Sequence, residues 1–199
     1  MKTTMIIGCL LRHCLWRVIC TLSGGLRISG RPPAPGGCVL IANHSSHADT
    51  AVLLAALPPS TRPVFAAAAD YWFDVPIRRA LATTLAGTLP VHRSTGGAYA
   101  ALLAAAKPAL AAGRAVVIYP EGTRSRDGSI GDFRTGALRL ARDCNVPLIP
   151  VGLRGTAAVL PKNGHFRRGA MLAHFGDPID PRSIDACALR QRVIALRDK

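Results

Sequence analysis

His44 and Asp49 lie five positions apart and are side chains of the types that proton transfer uses. A carboxylate that accepts a hydrogen bond from one imidazole nitrogen fixes the tautomer and leaves the other nitrogen to take a proton from a substrate hydroxyl. No serine or cysteine nucleophile is needed when the substrate's own hydroxyl attacks. Simpler roles are open to both residues: Ser46-x-x-Asp49 has the form of a helix capping box, and His44 can bond to backbone in a loop. His47 adds a metal reading through His44-x-x-His47-x-Asp49, but the spacing is not a strong zinc pattern, and ligands in one helical turn point apart. A second cluster, Tyr119-Pro120-Glu121-Gly122-Thr123-Arg124-Ser125, joins a glycine that lets backbone approach a ligand to donors suited to phosphate. Glu121 can accept from an acceptor hydroxyl or from an amide of its own loop. The plainer alternative for this cluster is a turn with an exposed arginine.

Both clusters follow apolar runs. The β-branched run 38–42 reads as a buried strand, as do 64–68, 115–119, 148–153 and 170–175, with 87–92 extended. Helical spacing marks 75–85, 98–112 (Pro108 at a kink or in a first turn), 135–143 and a basic terminal helix over 183–197, while the Pro- and Gly-rich run 30–37 is a connection. Strands apolar on both faces that alternate with helices predict an α/β fold, a single layered domain with a largely parallel sheet flanked by helices. In such sheets ligands gather beyond the carboxyl ends of strands, where both clusters fall.

Residues 1–24 predict an amphipathic helix ahead of a main domain over 25–199. Ile7, Leu10, Leu11, Cys14, Leu15, Val18 and Leu22 make one stripe, and Lys2, Arg12, His13 and Arg17 lie off it. That pattern suits a helix lying in a membrane interface, or one packed by its stripe on the domain. Arg12, His13 and Arg17 argue against a simple transmembrane span and against a signal peptide. Cys9, Cys14, Cys20, Cys38, Cys144 and Cys187 show no paired spacing, which predicts reduced thiols rather than a disulfide or zinc framework.

The chain has 199 residues, 49% of them hydrophobic, which excludes disorder as its main state. Its 25 basic and 11 acidic residues give a formal charge of +14, and all the cations except Lys2, Lys107, Lys162 and Lys199 are arginine. Base composition of the gene is the plainer reading of this enrichment, and capture of phosphate-like oxyanions the other; either way the surface is expected to attract nucleic acid or anionic lipid. Arg12, Arg17, Arg182, Arg190, Arg192 and Arg197 are the candidates for lipid.

Taken together, Asn43 followed by His44-x4-Asp49 and then Pro120-Glu121-Gly122-Thr123-Arg124-Ser125 closely resemble the signatures of the 1-acylglycerol-3-phosphate acyltransferase family. Gly87-Thr88-Leu89-Pro90-Val91-His92-Arg93 is similar to its G-x-x-x-x-x-R block, Phe133-Arg134-Thr135-Gly136-Ala137 to its F-K-x-G-A segment, and Val146-Pro147-Leu148-Ile149-Pro150-Val151 to its V-P-x-x-P-V block. The resemblance covers residues 38 to about 153. It implies transfer of a fatty acyl chain from acyl-CoA or acyl carrier protein to a lysophospholipid, foremost 1-acylglycerol 3-phosphate to give phosphatidic acid, with no metal and no cofactor. His44 would act as base and Asp49 would orient it. Arg93 and Arg124 would hold the acceptor's phosphate, and Glu121, Gly122 and Thr123 would shape its glycerol site. The expected location is peripheral, on the cytoplasmic face of the cell membrane, at an anionic surface.

Position 47, often aromatic or large in the family, is His here, and a chain that ends soon after the last motif suggests an abbreviated membrane-docking element or an unusual acceptor. Other lysolipids, such as a lyso-aminolipid or glycerol 3-phosphate, remain alternative acceptors. A basic nucleic-acid-binding module is the rival from another class. It leaves both clusters unexplained and lacks an RNP-type aromatic pattern, so no nucleic-acid partner is expected.

Overall fold

Short apolar runs form the strands here, and the central pair at 38–42 and 115–118 is buried at every residue. The computed structural model describes residues 2–68, 87–91, 97–125, 127–161 and 164–199. In chain order the elements are α1 (Lys2–Leu22), β1 (Leu26–Gly30), β2 (Cys38–Ala42), α2 (Ala48–Ala56), a 3-10 turn at Pro59–Thr61, β3 (Val64–Ala68), β4 (Thr88–Val91), α3 (Ala98–Ala111, with Pro108 inside it), β5 (Ala115–Ile118), α4 (Gly136–Asp143), β6 (Leu148–Arg154), α5 (Thr156–Val159), β7 (Met171–Phe175) and α6 (Ala186–Asp198). The helix expected over 75–85 lies outside the described residues.

The strands form one sheet in the order β1-β7-β6-β2-β5-β3-β4. Pairing is parallel from β6 to β4, while β7 runs antiparallel to β6 and carries β1 parallel to itself at the edge. The expected, largely parallel α/β layer is therefore present, with a reversed pair at one edge. Alternation along β2 sends Leu40 and Ala42 toward α2, and Val39 and Ile41 toward α3, α4 and α6. Each buried aliphatic side chain contributes about 1.5–3 kcal/mol.

Helix α6 lies directly on β6. A Cβ built on Gly152 would meet the Arg197 nitrogen at 2.2 Å and the Leu196 carbonyl carbon at 2.4 Å, so the bare glycine admits the helix backbone. Gly152→Ala must displace α6 and is expected to cost about 1–3 kcal/mol, read as a lower denaturation midpoint. Three of the terminal arginines have partners within the chain: Arg182 donates to Asn145 Oδ1, Arg190 to the Ile130 and Gly131 carbonyls, and Arg197 to the Gly128 carbonyl. A basic side chain on a terminal helix is equally suited to loop carbonyls.

Helix α1 sits the other way round from an ordinary packed amphipathic helix. Its apolar stripe faces outward, with Leu11 65% and Leu22 64% exposed. Its inner side presents Cys9, Trp16 and Cys20, together with His13, whose Nδ1 donates to the carbonyls of Leu54 (3.2 Å) and Leu57 (3.0 Å). Arg17 donates to the Ala55 carbonyl at 3.2 Å. Helix α2 leaves its last carbonyls without intrahelical donors, and these two side chains supply them at the negative end of the helix dipole. Among the described residues, no helix is long and apolar enough to cross a membrane. All six cysteines are free thiols, and burial pushes Cys20 up to about 11 and Cys38 up to about 12.

Candidate active site

The register brings the two clusters together. Ile41 pairs with Ile118 and Ala42 with Val151, so neighbouring parallel strands β2 and β5 end level and release their loops side by side. Asn43 extends the ladder by one step with its side chain: Nδ2 donates to the Leu153 carbonyl at 3.0 Å, and the Leu153 amide donates to Oδ1 at 2.7 Å. The position is buried. Asn43→Ala leaves both backbone groups unpaired and is expected to lower unfolding free energy by about 2–4 kcal/mol in denaturant titration.

His44 is held on every side. Its amide donates to Glu121 Oε1 at 2.7 Å, and its carbonyl accepts from the Ser125 amide at 2.8 Å. Its Nδ1 lies 2.9 Å from Asp49 Oδ2, and its ring stacks on Tyr119 with centroids 4.0 Å apart and planes 11° from parallel. Because an ionised carboxylate only accepts, Nδ1 carries the proton and Nε2 keeps a lone pair. The side chain is 20% exposed, so that lone pair has an approach from solvent.

Asp49 is fully buried in the first turn of α2. Its Oδ2 accepts three hydrogen bonds, from His44 and from the amides of Ser45 (2.7 Å) and Ser46 (2.9 Å). The Ser46 contact is the one half of the expected capping box that forms; Ser46 Oγ accepts from the Ala48 amide, not from Asp49, and donates to the Leu160 carbonyl, and the residue at the helix N-cap is His47. One oxygen thus ties down the loop ahead of α2 and orients the imidazole.

In the second cluster the Glu121 carboxylate takes the amide role: Oε1 accepts from His44, and Oε2 accepts from Gly131 at 3.0 Å. Burial raises its pKa, and those two amides offset only part of the rise. Gly122 has φ +71°, a backbone conformation that favours glycine, and the Arg134 guanidinium lies over it, 3.0 Å from where a Cβ would sit. Thr123 is exposed, and Arg124 is partly buried. Desolvation, then the charges of Arg124 and His44, lower the pKa of His47. Among the described residues no three His, Cys, Asp or Glu side chains are grouped as metal ligands, so His44, His47 and Asp49 do not assemble the triplet that their spacing allowed. Arg93 lies outside the described residues.

Sequence reasoning did not single out Tyr119 or give Asn43 a task. Tyr119 Oη lies 3.2 Å from Thr50 Oγ1, and burial, then the Asp49 charge, push its phenol well above its ordinary range. It is a neutral plate against which the imidazole rests. The available signal was its place as first residue beyond the strand, next to the end of β2.

A family model described as Acyltransferase matches residues 26–154, which include both loops. The chain belongs to the acyltransferase family. The chloroplastic 1-acyl-sn-glycerol-3-phosphate acyltransferase of Brassica napus is 31% identical over 130 residues, 65% of this chain and 36% of the relative. The alpha form of the same enzyme from Mus musculus is 33% identical over 114 residues, 57% of this chain and 39% of the relative. This acyltransferase chain thus spans little more than a third of the length of either relative. The crystal structure of the 1-acyl-sn-glycerophosphate acyltransferase PlsC of Thermotoga maritima shares its fold, with a TM-score of 0.76, 23% identity, and coverage of 96% of this chain and 77% of that one.

Proposed function

We propose that the protein transfers a fatty acyl chain from acyl-CoA or acyl carrier protein to the hydroxyl of a lysophospholipid, with 1-acylglycerol 3-phosphate as acceptor and phosphatidic acid as product. The observation that carries this reading is the His44–Asp49 hydrogen bond at 2.9 Å inside the acyltransferase match. His44 Nε2 takes the hydroxyl proton as the oxygen attacks the thioester carbonyl. The resulting imidazolium is stabilised by the Asp49 carboxylate. When the tetrahedral intermediate collapses, the carbon–sulfur bond breaks and the thiolate leaves with that same proton from His44.

Arg124 and Arg93 are assigned to the acceptor's phosphate, Thr123 to the rim of its glycerol site, and Gly122 to the tight turn that shapes it. Glu121 serves that site by fixing the loops that line it. His47, kept neutral beside Arg124, leaves the arginine as the cation of that corner. The outward stripe of α1 is assigned to the acyl region of an anionic membrane surface, while Arg12 and Arg17 bond on the inner side of the helix; the location is peripheral, on the cytoplasmic face of the cell membrane.

The test is transfer from radiolabelled acyl-CoA across three acceptors presented alike: lysophosphatidic acid, glycerol 3-phosphate and an uncharged monoacylglycerol. Lysophosphatidic acid is expected to be acylated fastest. Equal rates on the uncharged lipid would remove the phosphate assignment.

A further inference from the structure

We propose that Arg190, on the C-terminal helix α6, is a positioning residue for the catalytic histidine and acts through the Ile130–Gly131 peptide and Glu121. The inference rests on the acyl-transfer reading above.

The peptide unit joining Ile130 to Gly131 is planar, with its carbonyl and its amide hydrogen pointing in opposite directions. Arg190 holds one edge: Nε lies 3.0 Å from the Ile130 oxygen, and a second nitrogen of the guanidinium lies 2.5 Å from it. Glu121 holds the other edge, where Oε2 accepts from the Gly131 amide at 3.0 Å. The second oxygen of Glu121 accepts from the His44 amide at 2.7 Å. An unbroken run of four groups therefore leads from the guanidinium to the backbone of the base. Hydrogen bonds in such a series polarise one another, so a cation on the carbonyl strengthens the amide as a donor to the carboxylate.

Helix α6 is a firm base for this brace. Asp185 caps its first turn by accepting from Ala188, Leu189 and Val193 are buried beneath it, and Gly152 lets its backbone rest on β6. Arg190 also donates to the Gly131 carbonyl at 2.9 Å, and Arg197 pins the same loop at Gly128. The Asp132 carboxylate lies 3.9 Å from Arg190 but is fully exposed, so an ion pair does not explain where the guanidinium sits. Helix α6 lies beyond the family match, which ends at residue 154.

The experiment combines kinetics on the full chain with amide NMR in the absence of substrate. Arg190→Gln is expected to lower kcat about tenfold with KM for donor and acceptor unchanged within about twofold, as for a small misplacement of the base. Arg190→Lys should fall between, and Gln191→Ala on the exposed side of the same helix should match the wild type. In a double-mutant cycle with Glu121→Gln, the second substitution should add less than about a twofold loss, because both act along one path. Without substrate, the Gly131 and His44 amide resonances should shift in both Arg190 variants.

Full kcat in Arg190→Gln, losses that multiply, or unmoved amide resonances would each overturn the inference. Should the wild type transfer no acyl group, the acyl-transfer reading fails, while the resonances still report the linkage. Should Arg190→Gln not fold, the Arg190→Lys kinetics and spectra decide alone.

Discussion

His44→Ala is expected to lower kcat by about 10² to 10⁴, the usual contribution of a positioned general base, with the protein still folded. The fold survives because the structural bonds of His44 are made by its backbone, which donates to Glu121 and accepts from Ser125, and alanine keeps both. Asp49 loses one of its three donors and retains the amides of Ser45 and Ser46. Release of CoA thiol gives the rate, and circular dichroism checks the fold.

At Asp49, different substitutions should separate charge from scaffolding. Asp49→Ala removes the acceptor from two backbone amides as well as from the imidazole. It is expected to cost about 2–5 kcal/mol of stability for the stranded amides and to abolish base catalysis. Asp49→Asn can turn its carbonyl oxygen to the Oδ2 position, where one atom accepts all three bonds. The fold and the tautomer then persist, but the imidazolium formed in the transition state has no counter-charge. The side-chain NH2 of the Asn variant then occupies the Oδ1 position, which is buried without a hydrogen-bond partner, so Asp49→Asn should cost about 1–3 kcal/mol, less than the Ala variant, and still lose kcat about 10²-fold or more. Thermal melts beside the kinetics test this; an Asn variant as unstable as the Ala variant would show that the amide cannot take up the three bonds.

The elements legible in the sequence were those whose pattern has one physical meaning. Strands β2 and β3 match the expected runs end for end, because burial on both faces leaves no polar alternation to misread. The pairing of His44 with Asp49 was legible because both lie in one short loop and helix start. Other features depend on contacts distant in sequence. The outward turn of α1 is one: spacing locates the stripe, but the partner of the inner face is a set of carbonyls ending α2, and carbonyls carry no sequence signal. The choice of Glu121 for backbone amides depends on the level ends of β2 and β5, as does the stack of Tyr119 on His44. Charge alone sent Arg190 toward lipid, since nothing nearby in the chain announces the loop it holds. The reversed β1–β7 edge likewise follows from long-range pairing.

The central claim is that His44 and Asp49 deliver an acceptor hydroxyl directly to a thioester. The most direct measurement follows the label in one reaction of purified protein, vesicles containing lysophosphatidic acid, and acyl-CoA labelled in its acyl chain. The mechanism predicts label in phosphatidic acid, one CoA thiol released for each acyl group transferred, and none bound to the protein when the acceptor is omitted. Label fixed covalently on the protein, or thiol released with no labelled phosphatidic acid, would contradict it.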